Sequence, residues 1–208
     1  MQVLENYPRK KIIQLDIQSE IDHGICVSNL AFRISKDLGL SHETCKQLSV
    51  AGIVHDIGKM RLVRYIYGDN KDNLTVEELK YIRLHPALGA EILKEQGYSD
   101  FIVESIYYHH ENYDGTGYPE NLKAEEIPMG SRILRVCDVF AALTSQRPYR
   151  EAFDVETTIE LMIEEVKNFD MKVFLALQRT VHTEDIRDIL GMSYKQKNEK
   201  DRKIGSGL

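Results

Sequence analysis

Two histidines stand side by side at His109 and His110, inside the run H-H-E-N-Y-D-G-T-G-Y-P that ends at Pro119. Glu111 and Asp114 add two carboxylates, and Gly115 and Gly117 allow a tight turn beside them. Neutral imidazole is the commonest transition-metal ligand, and carboxylates suit harder cations. A second run, H-D-I-G-K from His55 to Lys59, supplies another histidine, a carboxylate and a cation. The pairing points to a hydrolytic metal site assembled from segments distant in sequence. His23, His85 and Asp138 are further candidate donors, whereas His42 and His182 read as surface or satisfied core residues. Asp138 lies among apolar neighbours in R-I-L-R-V-C-D-V-F, and a buried carboxylate needs a partner. A metal would serve, and so would a salt bridge to Arg132 or Arg135; spacing leaves both open.

The elements that must position these donors read as helices. Adjacent residues on a helix project about 100° apart, so neither His55–Asp56 nor His109–His110 would chelate one ion side by side. Two ions about 3.5–4 Å apart, with Asp56 between them, would use both pairs. Ile21, Ile25, Leu30, Ile34 and Leu38 predict one helix face, stopped at Gly39. Ser41 caps a second helix that carries Leu48, Ala51 and Val54 up to His55, with Gly58 ending it. Thr75-x-x-Glu78 is a capping-box pattern, and Pro86 predicts a bend near His85 in the helix that follows. Ser99 caps a helix from Phe101 to about His110. Residues 111–130 have the glycine and proline content of a loop. Helical spacing returns from Ile133 to Leu143, then after Asp154 through Ile159, Met162 and Ile163. It recurs at Val173, Leu175 and Leu177, and a last helix is predicted from Thr183 to Leu190. No strand pattern or repeat is evident. The expected fold is all-α, a bundle of roughly seven helices with one long loop, and such loops are usually functional. The chain divides into an N-terminal segment, 1–18, a domain, 19–192, and a polar, frayed tail, 193–208.

Composition narrows the classes. Of 208 residues 42% are apolar, enough for a core, and 29% are charged. A net charge of −6 argues against binding polymeric nucleic acid, so an anionic substrate would need local attraction. Cys26, Cys45 and Cys137 form no CxxC pair and read as buried free thiols of a reducing compartment. The N-terminus is charged, without a signal-peptide core, and no run of about 18 apolar residues exists. A cytoplasmic protein without a membrane span is expected.

Taken in order, His23, H-D-I-G-K, H-P-A-L-G at 85–89, H-H-E-N-Y-D-G-T-G-Y-P, Ile127-Pro128, R-I-L-R-V-C-D-V-F, A-L-T-S-Q-R-P-Y-R and N-F-D at 168–170 resemble the HD-GYP phosphodiesterases. These are a branch of the HD-domain metal-dependent phosphohydrolases, and the match covers residues 20–180. The resemblance implies hydrolysis of cyclic di-GMP to pGpG or on to GMP through a metal-bridging hydroxide. It implies His23, His55, Asp56, His85, His109, His110 and Asp138 as ligands of two divalent ions, iron or manganese. Asp56 would bridge them, and Asp56 and Lys59 would be the catalytic pair, with Lys59 beside the scissile phosphate. Lys59, Tyr118, Arg147 and Arg150 would contact substrate, while Glu111 and Asp114 would fix the loop. Three departures stand out. Ser19 occupies the place of a third-metal glutamate, with Glu20 the nearest carboxylate, so a third ion is not expected unless Glu20 reaches. Ala141 replaces an acidic residue, which predicts a weakened contact. Met60–Asn73 lacks the usual pattern, which leaves open another nucleotide or cyclic dinucleotide as substrate. A nucleotide-binding signalling module without turnover is the non-enzymatic alternative. A diguanylate cyclase or sensor partner, and a homodimer, also stay open.

Overall fold

The computed structural model describes residues 17–62, 80–146 and 150–183. Among them every regular element is helical. The long helix α1 (Ile17–Asp37) carries a stripe of His23, Cys26, Val27, Leu30, Ala31 and Ile34, all buried. The face predicted for α1 is corrected at its start: Ile21 and Ile25 are 50% and 40% exposed. The five-residue step from Ile25 to Leu30 turns the helix by about 140°, so those isoleucines fall off the buried side. That same geometry puts His23 on it.

Helix α2 (His42–Val54) starts at Ser41, whose Oγ accepts from Thr44 N at 3.1 Å, and buries Cys45, Leu48 and Ala51 against α1. A turn at 55–58 leads into the short α3 (Lys59–Leu62). Residues 80–82 are helical, a turn follows at 83–84, and helix α4 (His85–Glu95) begins at His85, so the predicted bend is a break in the helix. Pro86 lies in its first turn, where a missing N–H breaks no helical hydrogen bond. Helix α5 (Asp100–Tyr107) is capped by Ser99 and stops short of His109 and His110, which lie in the turn beyond. Helix α6 (Met129–Thr144) buries Ile133, Leu134, Val136, Cys137, Phe140 and Ala141, and packs against α1, α2, α5, α7 and α8. Asp154 caps α7 (Val155–Glu164) by accepting from Thr157 N at 2.8 Å. Helix α8 (Met171–Thr183) turns Val173, Phe174, Ala176 and Leu177 inward, while Leu175 faces out. Among the described residues, seven helices of eight residues or more therefore surround one core, with α6 central, in an all-α bundle.

The loop between α5 and α6 is fastened at several points. Tyr118 N donates to His110 O at 3.1 Å, and Tyr113 N to Asn168 O at 3.0 Å. Asp170 accepts from Arg132 Nη1 at 2.6 Å and from Lys172 N at 2.8 Å, which ties α6 to the start of α8. The three cysteines are free and buried. No described helix is long and apolar enough to cross a membrane. The Thr75–Glu78 capping box, the helix predicted beyond Thr183 and both terminal segments lie outside the described residues.

Candidate metal centre

Three histidines share one local device. Each stands just past the end of a helical turn and donates Nδ1–H to the carbonyl three residues back. His55 donates to Gly52 O at 2.8 Å, His85 to Ile82 O at 2.7 Å and His109 to Ile106 O at 2.6 Å. The last carbonyls of a helix have no intrahelical partner, so these acceptors are available. A carbonyl only accepts, so the ring proton sits on Nδ1 and each Nε2 keeps its lone pair for a ligand.

Those lone pairs converge. His85 Nε2 lies 3.2 Å from His109 Nε2 and 3.2 Å from His110 Nε2. Lone pairs facing each other at that distance repel unless a cation stands between them. On the neighbouring side His23 Nε2 lies 3.0 Å from Asp138 Oδ1, and His55 Nε2 lies 3.7 Å from the same oxygen. Asp56 serves both groups. Its Oδ2 is 3.3 Å from His55 Nε2 and 4.0 Å from His23 Nε2, and its Oδ1 is 3.1 Å from His85 Nε2. Two sets of donors, His85–His109–His110 and His23–His55–Asp138, each lie within 4.8 Å of one another, and His55, Asp56 and His109 form a third set between them.

The 100° argument against adjacent chelators does not hold here. His55 and Asp56, like His109 and His110, lie in turns past helix ends, where the backbone lets neighbours converge. The salt-bridge alternative for Asp138 is also answered. Arg132 pairs with Asp170, Arg135 donates to Asn112, and Asp138 faces His23 and His55.

Electrostatics fit a cation in each set. Burial first, then the neighbouring rings, holds His109 well below its usual value, and burial pushes His110 down to about 3. Both stay neutral and able to ligate. Burial also acts against charge on His55, yet the Asp56 and Asp138 carboxylates outweigh it and raise His55 to about 10. Asp56 and Asp138 are held well below the carboxylate range despite burial, Asp56 by the charges of His55 and Lys59 and Asp138 by hydrogen bonds with His23 and His55. A divalent ion beside His55 Nε2 would answer the same two carboxylates that raise this histidine. His23 Nδ1 and His55 Nε2 are buried without a hydrogen bond. Neutral imidazoles with shared carboxylates suit a divalent transition metal.

Around the cluster, Lys59 Nζ donates to Asp56 Oδ2 at 2.5 Å and lies 3.6 Å from Glu20 Oε2. Tyr118 stacks on His110 with centroids 4.8 Å apart, and Arg83 stands 5.2 Å from the Tyr118 centroid. Glu111 is buried and accepts from Glu120 N at 2.7 Å; Asp114 accepts from Thr116 N at 3.0 Å. Both carboxylates thus bind the loop's own backbone. The Arg150 guanidinium donates to the carbonyls of Ala142, Leu143 and Glu151 at 2.8–3.0 Å, capping the end of α6. Ala141 is fully buried in the core. Arg147 lies outside the described residues, as does 63–73 of the unusual segment. The structure adds Arg83 and Arg135 to the surroundings. Arg135 carries a sequence signal, its place three residues before Asp138.

The HD domain family model matches residues 8–173. The chain belongs to the HD domain family. Among curated HD-domain relatives it is 36% identical over 160 residues to a cyclic di-GMP phosphodiesterase of Pseudomonas aeruginosa, covering 76% of this chain and 38% of that protein. It is 35% identical to the cyclic di-GMP phosphodiesterase response regulator RpfG of Xanthomonas campestris, covering 74% and 41%. It is 32% identical to a 3'3'-cGAMP-specific phosphodiesterase of Vibrio cholerae, covering 81% and 39%. The chain thus spans less than half the length of these relatives. The fold matches a solved cyclic GMP-AMP specific phosphodiesterase of V. cholerae with a TM-score of 0.65 at 18% identity, covering 86% of this chain and 50% of that one. An HD-GYP protein from Bdellovibrio bacteriovorus matches with a TM-score of 0.64 at 19% identity, covering 78% and 52%.

Proposed function

We propose that this HD domain is a metal-dependent phosphodiesterase that hydrolyses cyclic di-GMP to pGpG or GMP. The observation that carries the reading is Asp56, whose two oxygens face two separate sets of His and Asp donors. His23, His55 and Asp138 would hold one ion, and His85, His109 and His110 the other, with Asp56 shared. Two such ions supply a nucleophilic water at neutral pH and stabilise charge on the phosphoryl oxygens. The Nδ1–H bonds to Gly52, Ile82 and Ile106 orient the imidazoles in advance. Lys59, beside Asp56, is placed to add positive charge where the phosphate gathers negative charge. Tyr118, held over His110 by the loop, walls the substrate side.

Two ions are favoured over three because the Lys59 ammonium already contacts both Glu20 and Asp56. Iron and manganese suit this imidazole-rich, carboxylate-bridged set. Incubating iron- or manganese-loaded protein with cyclic di-GMP should give linear pGpG or GMP, and metal analysis should give two ions per chain. No linear product from metal-replete protein would sink the reading. The similarity to a 3'3'-cGAMP-specific phosphodiesterase favours a second substrate, so 3'3'-cGAMP belongs in the same assay.

A further inference from the structure

Arg135 lies on α6 one turn before Asp138, at the i, i+3 spacing that puts two side chains on one helix face. Its Nε donates to Asn112 Oδ1 at 3.0 Å, and Asn112 is steadied by donating from Nδ2 to Thr116 Oγ1 at 3.0 Å. The guanidinium is largely removed from water, and its charge is felt at Asp138, Tyr118 and His110. Three other arginines have their charge or their donors occupied. Arg132 pairs with Asp170 at 2.6 Å, Arg61 with Glu91 at 2.7 Å, and Arg150 with three carbonyls. Among the described residues no carboxylate lies within ion-pair distance of Arg135, and its two Nη groups make no hydrogen bond. The charges of Asp138 and Glu165 act on this part-buried guanidinium only from beyond ion-pair distance, which leaves its fork open to an incoming anion. Lys59 differs, since its ammonium is already shared by Asp56 and Glu20.

We propose that Arg135 binds the second, non-scissile phosphate of a cyclic dinucleotide while the scissile phosphodiester lies on the His/Asp cluster. The inference rests on the phosphodiesterase reading above. A cyclic dinucleotide carries two phosphodiesters in one ring, so placing one on the cluster fixes where the other stands. A guanidinium fork matches two phosphate oxygens bidentately, and both Nη groups of Arg135 are available for that. The Nε bond to Asn112 fixes the plane of the fork, and Tyr118, flanked by His110 and Arg83, borders it.

The test compares wild type with Arg135→Met and Arg135→Lys, as manganese-loaded full chains, on two substrates. Cyclic di-GMP has two phosphodiesters, and bis(p-nitrophenyl) phosphate has one. Methionine keeps the apolar stem and removes the charge. Arg135→Met should raise KM for cyclic di-GMP by about 10- to 100-fold, the effect of one charge-assisted hydrogen-bonded contact. Arg135→Lys should fall between, kcat should change far less, and the loss on bis(p-nitrophenyl) phosphate should be much smaller than on cyclic di-GMP. Equal losses on both substrates would place Arg135 at the scissile phosphate or in the scaffold and overturn the proposal, as would an unchanged KM for cyclic di-GMP. If wild type cleaves bis(p-nitrophenyl) phosphate but not cyclic di-GMP, the proposed activity fails by itself. Calorimetric binding of the uncleaved cyclic di-GMP then decides: weaker binding by Arg135→Met supports the subsite, and no difference, or no binding by wild type, overturns it.

Discussion

At the residue scale the site depends on which atoms keep a lone pair and which carry a proton. Asp56 is the most connected, with Oδ1 and Oδ2 directed to different imidazoles. Asp56→Ala should lower kcat/KM by about 10²- to 10³-fold, comparable to losing one transition-state stabilising group, and should reduce bound metal. A variant with full activity would contradict the shared role. The metal-free protein should also show a distinctive pH dependence. His110 is held down to about 3, mainly by burial, from an ordinary 6.5. Below about 6.5 the unfolded chain takes a proton that the fold refuses, so stability falls as pH drops from about 6.5 toward 3. His55 is raised to about 10 by Asp56 and Asp138 against the effect of burial. Its contribution is complete below about 6.5 and is lost as pH rises through 10. Denaturant titrations of chelator-treated protein should therefore give a stability maximum near pH 6.5, and a steady gain up to about pH 9 would refute the His55 assignment.

At the element scale, helix ends do the positioning. His55, His85 and His109 each use a carbonyl left over by the preceding turn, so a shift in any of these turns moves a donor of the cluster. Gly58 sits where the turn after His55 passes the start of α4, and an added Cβ there would strike His85 O and Gly89 N. Backbone atoms cannot step aside, so Gly58→Ala should cost about 1–3 kcal/mol in denaturant unfolding and weaken metal binding through His85. Gly117 is similarly constrained where the loop folds back, since a Cβ would meet Asn112 N and His110 O. Gly117→Ala should displace Tyr118, which steady-state kinetics would read as a larger loss of activity than of Tm. Much at this scale was legible in the sequence: Ser41, Ser99 and Asp154 cap the helices they predict, because a cap is a local interaction. Other features were not. Pro86 reads equally as a bend or as a first-turn residue, and a five-residue step in α1 conceals a change of face.

At the scale of the whole molecule, five separate segments deliver the donors: α1, the turn after α2, the start of α4, the turn after α5, and α6. Removing metal should therefore lower Tm, because facing lone pairs and buried carboxylates lose the charge that offsets them; adding manganese back should restore it. Arg132 and Asp170 join α6 to α8 through a nearly buried ion pair, with side chains 12% and 5% exposed. Arg132→Met should cost about 3–5 kcal/mol by stranding Asp170, and adding Asp170→Asn should recover part of the loss, as unfolding titrations would show. The sequence by itself determined the donor types, the all-α class and the family, since residue chemistry, helix periodicity and motif order are properties of short stretches. Only the tertiary structure decided which donors lie together, that Asp56 faces both sets, that Asp138 meets His23 and His55 instead of an arginine, and that Arg150 caps a helix. Those outcomes depend on how α1, α4, α5 and α6 pack, a long-range arrangement in which a turn of about 100° per residue decides which atoms meet.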